Sequence, residues 1–143
     1  MKIALGEAKK ALLKDEVPIG AVVVDKDGLI TAKCGNKNRE LNDPTAHAEI
    51  VVLREAAKLL KNYRLIDTTL YVTLEPCMMC AGALLHARIK RLVFGAYDRR
   101  TGVAGGCFDW LMDERQLHKI DVTGGVLQEQ CAALLQAFFK AKR

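Results

Sequence analysis

Apolar residues recur along the chain in two rhythms, and the changes of rhythm mark its elements. Ile3, Leu5, Ala8, Ala11 and Leu12 fall at helical spacing and predict a helix over 2–14. Val17 to Val24 is β-rich, Lys26-Asp27-Gly28 reads as a turn, and Leu29 to Cys34 resumes the strand pattern. That is a hairpin. Asn36 to Pro44 is polar and reads as a loop. Asp43-Pro44 then has the form of an N-cap followed by a proline in the first helical position. Ala46, Ile50, Leu53, Ala57 and Leu60 follow at steps of three and four, which predicts an amphipathic helix of about fifteen residues. Thr68 to Leu74 predicts a strand, and Pro76 opens a short, very apolar helix that runs to Ala87. Arg91 to Gly95 predicts a strand, and 96–107 is a glycine-rich loop. Lys119 to Val122 predicts a further short strand. Val126, Leu127, Cys131, Leu134, Leu135 and Phe138 mark the last helix.

Strands that alternate with helices after an opening hairpin imply a mixed sheet covered on both faces. The expected fold class is α/β: a three-layer sandwich with about five strands and helices on each side. No repeat, low-complexity tract or Pro/Gly/Ser linker interrupts the chain, so one domain over 1–143 is expected.

Composition narrows the classes. The 143 residues are 50% hydrophobic and 27% charged, ordinary globular usage that excludes disorder. No apolar run is long enough to span a membrane, and the opening Met1-Lys2-Ile3-Ala4-Leu5 is soon broken by Glu7, Lys9 and Lys10, unlike a signal peptide. A cytoplasmic chain with no membrane partner is expected. The net charge of +5 favours an anionic partner. Five cysteines, an odd number, argue against a disulfide framework.

Two short motifs carry the chemistry: His47-Ala48-Glu49 and Pro76-Cys77-Met78-Met79-Cys80. Cys77 and Cys80 are three residues apart, so on a helix they share one face. They also follow Pro76 at a helix start, where unpaired N–H groups and the helix dipole favour thiolate. With His47, at the start of another helix, they make a His-Cys-Cys ligand set suited to zinc. Three protein ligands leave the fourth position for a water or hydroxide, the pattern of catalytic rather than structural sites. Two thiolates offset the zinc charge and leave that water less acidic, so a carboxylate to take its proton makes sense. Glu49 is the candidate, as an acid/base and not a ligand. Cys-x-x-Cys alone also fits a redox site or half of a zinc ribbon, but no second such pair exists here.

The combination of H-x-E and P-C-x-x-C resembles the zinc nucleobase deaminase signature. Longer strings narrow the likeness: Asp43-Pro44-Thr45-Ala46-His47-Ala48-Glu49-Ile50, Asn62-Tyr63-Arg64-Leu65, Leu70-Tyr71-Val72-Thr73-Leu74-Glu75-Pro76-Cys77, Val93-Phe94-Gly95-Ala96 and Glu129-Gln130-Cys131-Ala132-Ala133-Leu134-Leu135. Together they resemble the bacterial tRNA-specific adenosine deaminases from about Glu7 to Lys140. The resemblance implies a cytidine-deaminase-like fold, a homodimer, and conversion of the wobble adenosine of an arginine tRNA anticodon to inosine. It implies one zinc per subunit on His47, Cys77 and Cys80, with Glu49 shuttling protons. It places Asn36, Ala48 and Asp98 at the substrate.

An anticodon stem-loop partner needs phosphate contacts. Arg64, Arg99, Arg100 and Lys140 are the candidates, with Arg99 and Arg100 favoured by their nearness to Asp98. Two other readings share the metal motif. One is deamination of a free base or nucleotide such as guanine, cytosine or deoxycytidylate. The other is a non-catalytic RNA-binding subunit, which the presence of Glu49 disfavours.

Overall fold

The computed structural model describes residues 1–143. The chain runs α1 (Lys2–Leu13), β1 (Gly20–Val24), β2 (Ile30–Gly35), α2 (Asn38–Leu41), α3 (Ala48–Leu60), β3 (Thr69–Leu74), α4 (Met78–Ala87), β4 (Arg91–Ala96), β5 (Asp121–Thr123) and α5 (Gln128–Ala141). The sheet order is β2-β1-β3-β4-β5. β1 pairs antiparallel with β2 and with β3, whereas β3–β4 and β4–β5 are parallel. Helices α1 and α5 pack on one face, and α3 and α4 on the other. The expected three-layer α/β sandwich with a five-stranded mixed sheet is the one observed.

Coverage of both faces explains the strand sequences. Ala21, Val22 and Val23 of β1, and Leu92, Val93 and Phe94 of β4, are successive residues and all buried. An alternating strand would leave half of them in water. The hairpin register joins Gly20 to Gly35, with an irregularity at Val23/Val24. The same register sets the geometry of the active edge. Because β2, β3 and β4 all run the same way, Gly35, Leu74 and Ala96 lie at one end of the sheet. The segments that follow them, which carry Asn36, Glu75 to Cys80 and Asp98, therefore emerge side by side.

Four expectations needed correction. Residues 36–44 are not all loop, because Asn38–Leu41 forms one helical turn. Its first amides, Arg39 N and Glu40 N, donate to Glu16 Oε1 at 2.8 Å each. That tertiary contact stabilises a helix start the local sequence does not announce. Asp43 does not cap α3. Its carboxylate instead accepts from the Thr45 amide and hydroxyl, at 2.8 and 2.7 Å, in a local turn. Helix α3 then starts at Ala48 with His47 extended at its N-cap, and has 13 residues. The last strand lies at 121–123 rather than 119–122, and α5 starts after a left-handed Leu127 rather than at Val126.

Helix α1 approaches the sheet on small residues. Ala4, Ala8 and Ala11 are buried, and a Cβ at Gly20 would collide with the α1 backbone at Ala4 and Ala8. Gly20→Val is expected to cost roughly 1–3 kcal/mol by overpacking this interface. Urea unfolding checks it: an unchanged midpoint would show that α1 can move away without penalty.

Candidate metal and deaminase centre

Helices α3 and α4 both begin at the shared sheet edge. His47 is the N-cap of α3 and Cys77 the N-cap of α4, each with extended backbone. Cys80 lies in the first turn of α4 and is buried. His47 Nδ1 lies 3.8 Å from Cys77 Sγ and 3.5 Å from Cys80 Sγ. The ligand atoms of the three residues all lie within 4.8 Å of one another, so the group fits a metal ion.

The extended backbone of His47 also resolves a geometric difficulty. Residues two apart on one helix point in different directions. His47 stands outside the helix and Glu49 inside its first turn, so both face the cluster. Glu49 is buried, and its charge helps push the Cys80 thiol upward. Its Oε2 is the one buried side-chain polar atom in the chain with no hydrogen-bond partner. Desolvation raises its pKa to about 7, against the nearby His47 charge, which lowers it. A carboxyl poised there exchanges protons readily near neutral pH.

The thiols respond oppositely to their shared contact. The hydrogen bond from Cys80 lowers Cys77 to about 4, against burial, with His47 helping. The same contact and burial push Cys80 upward. One of the two sulfurs is thus prepared as a thiolate ligand. The Cys77 contact raises His47.

Asn36 is buried directly after β2, and its Oδ1 accepts from Ala48 N at 2.8 Å. The side chain thereby holds the first amide of α3, and its own amide nitrogen has no acceptor within the protein. Ala48 is buried in the core, with its N–H committed to Asn36. Asp98 is half-buried and follows β4. Its carboxylate accepts from Arg100 N at 2.8 Å, and from Thr101 N and Oγ1 at 3.3 and 2.6 Å. These hydrogen bonds hold its pKa below the usual carboxylate range, despite partial burial.

Arg64, Arg99, Arg100 and Lys140 are all exposed and lack ion-pair partners within the chain. Arg99 and Arg100 directly follow Asp98, whereas Arg64 lies over the Tyr63 ring and Lys140 in the last turn of α5.

Sequence reasoning gave no role to two buried acids, Glu16 and Glu75. Glu16 receives the amides that start α2, just beyond Asn36. Glu75 Oε1 accepts from Ala104 N and Gly106 N, at 2.7 and 2.8 Å, and Oε2 from Asp98 N at 2.9 Å. The available signal was an acid in an apolar strand end, Leu74-Glu75-Pro76, paired with a glycine-rich segment downstream.

Comparison with known proteins agrees with this geometry. A MafB19-like deaminase family model matches residues 1–143. A tRNA-specific adenosine deaminase of Haemophilus influenzae is 52% identical over 143 residues, which cover all of this chain and 83% of that protein. One of Bacillus subtilis is 48% identical, with 88% of that protein covered. A solved structure from studies of A-to-I editing by tRNA:A34 deaminases superposes with a TM-score of 0.90 at 47% identity, covering 94% of this chain and 97% of that one. A guanine deaminase from Bacillus subtilis is more distant, with a TM-score of 0.66 at 33% identity over 97% of this chain and 90% of that one. With its full length matched by the deaminase model and nearly half or more of its residues shared with these relatives, the chain belongs to the tRNA-specific adenosine deaminase family.

Proposed function

We propose that this chain hydrolyses the exocyclic amine of the wobble adenosine in a tRNA anticodon, an arginine tRNA being the first candidate, to give inosine. The single observation that carries the chemistry is the buried, unpartnered Oε2 of Glu49 beside a metal-competent His-Cys-Cys cluster. An unsatisfied buried carboxylate oxygen is costly and marks a functional site. The relatives and the 0.90 superposition supply the substrate class.

The donor set, one imidazole nitrogen and two thiols, suits zinc. A tetrahedral site with legs of roughly 2.0 Å to nitrogen and 2.3 Å to sulfur has N–S edges of about 3.5 Å. The observed 3.5 Å to Cys80 equals that edge, and the 3.8 Å to Cys77 is slightly longer. His47, Cys77 and Cys80 would hold the zinc, which would supply Lewis-acid activation of the attacking water. Glu49 Oε2 takes a proton from that water and delivers it to ring nitrogen 1 as carbon 6 is attacked. It then assists proton transfer to the departing amine. One water is consumed and one ammonia leaves. The Asn36 amide nitrogen, oriented through its bond to Ala48, reads the base. Asp98 holds the adjoining ribose, and Arg99 and Arg100 face the phosphates beside it, with Arg64 and Lys140 as further backbone contacts.

The whole chain, 1–143, acts as one deaminase domain. It works in the cytoplasm, where its RNA substrate is, and no helix is long and apolar enough to cross a membrane. It pairs with a second copy through the exposed groove between α3 and α4, lined by Ile50, Leu53, Ala57, Tyr63, Ala83 and Ala87. Deamination of free guanine, cytosine or deoxycytidylate is the second reading, and likeness to guanine deaminases favours the first of these.

The deciding assay offers zinc-loaded protein an anticodon stem-loop with a wobble adenosine, alongside the free bases, nucleosides and deoxycytidylate. Inosine in the stem-loop alone is expected, and ammonia from a small substrate alone would move the protein to base or nucleotide salvage. Glu49→Gln is expected to keep its zinc while turnover falls roughly 10²–10⁴-fold. Near-normal turnover in that variant would exclude the acid/base role. Cys80→Ser is expected to lose most of its zinc by elemental analysis, and full occupancy would contradict the ligand set.

A further inference from the structure

Glu75 lies between the end of β3 and the ligand turn, and it is only 2% exposed. Its backbone amide donates to Ala96 O at 2.8 Å, which ties it to the end of β4. No basic side chain pairs with its carboxylate. Its acceptors are filled by main-chain N–H groups: Ala104 and Gly106 on Oε1, and Asp98 on Oε2. Converging backbone amides of this kind form a nest for an anion. Here the chain supplies the anion itself.

The fit is close from the loop side too. A Cβ at Gly102 or at Gly106 would strike the Glu75 carboxylate. The same loop touches the ligand turn directly, through Val103 N to Pro76 O at 3.1 Å and a bridge between Cys77 and Gly102. Glu75 thus stands one residue beyond β3 and two before Cys77, and it grips the amide of Asp98.

We propose that Glu75 is a positioning residue that fixes the Asp98 loop relative to the metal-ligand turn and so sets where the substrate ribose sits over the centre. This rests on the deaminase reading above and deepens it. The Asp98 carboxylate is aimed by its own turn through Arg100 and Thr101, and the far end of that turn is tied to the ligand segment through Gly102 and Val103. Glu75 Oε2 is what grips the near end, at the Asp98 amide itself.

The asymmetry between the two oxygens gives a selective test. In Glu75→Gln the retained oxygen keeps Ala104 N and Gly106 N, while the new NH₂ faces the Asp98 N–H, donor against donor. Amide hydrogen exchange should then show Asp98 N–H losing protection while Ala104 and Gly106 keep theirs. KM for the anticodon stem-loop should rise roughly ten- to a hundredfold, the effect of losing one charge-assisted bond, with kcat changing less and zinc remaining near one per chain. In an Asp98→Ala background Glu75→Gln should add no more than about twofold. Circular dichroism and the zinc content of Glu75→Gln guard against a misfolded variant.

Unchanged Asp98 protection in Glu75→Gln would overturn the positioning role, whatever the activity. So would an equal loss of kcat/KM with and without Asp98, which is the mark of a merely structural residue. A wild-type protein inert on the stem-loop would instead defeat the deaminase reading, leaving the exchange result to judge Glu75 by itself.

Discussion

The N-termini of α3 and α4 meet at the edge where β2, β3 and β4 end, and the chemistry of this chain depends on that meeting. Each helix start offers unpaired N–H groups and the positive end of its dipole. Each also frees its N-cap residue from helical geometry. His47 and Cys77 use that freedom to turn toward each other. A sheet with a different strand order would carry the same motifs on surfaces that never face.

Three buried glutamates divide the work around this edge. Glu16 accepts the first amides of α2, and Glu75 accepts three amides of the 98–106 loop. Both are satisfied by backbone, and both fix segments adjoining the site. Glu49 is equally buried and has an oxygen left without a partner. Satisfied buried acids make a frame rigid, whereas an unsatisfied one is held ready for a proton. The contrast lies within one small region and among residues of identical chemistry. Neighbouring amides, not residue type, separate the satisfied acids from the unsatisfied one.

The glycines and alanines of the fold serve the same economy of space. Gly20 admits α1 against β1, and Gly102 and Gly106 admit the loop against Glu75. Close approach on both sides of the sheet leaves the site little room to shift. The open groove between α3 and α4 lies on the face away from α1 and α5, next to the helices that carry the ligands. A partner seated there would press on the backs of those helices.

The sequence alone determined the fold class, because helical spacing of apolar residues alternating with short β-rich apolar runs depends only on which side chains avoid water. It also picked out the group that could hold a metal, because His47, Cys77 and Cys80 stand in short motifs whose donor chemistry is local. Tertiary structure decided the rest. The α2 turn exists because Glu16, more than twenty residues away, accepts its amides. Asp43 looked like the cap of α3, yet it bonds Thr45; the helix starts at Ala48 behind an extended His47, and distant Asn36 accepts from the helix's first amide. Glu75 read as one more residue in a motif until the fold brought a loop from twenty-three to thirty-one positions downstream onto its carboxylate. Periodicity records contact with water, and a ligand motif records local chemistry. Which buried polar atom finds a partner depends on segments distant in sequence, and only the folded chain brings them together.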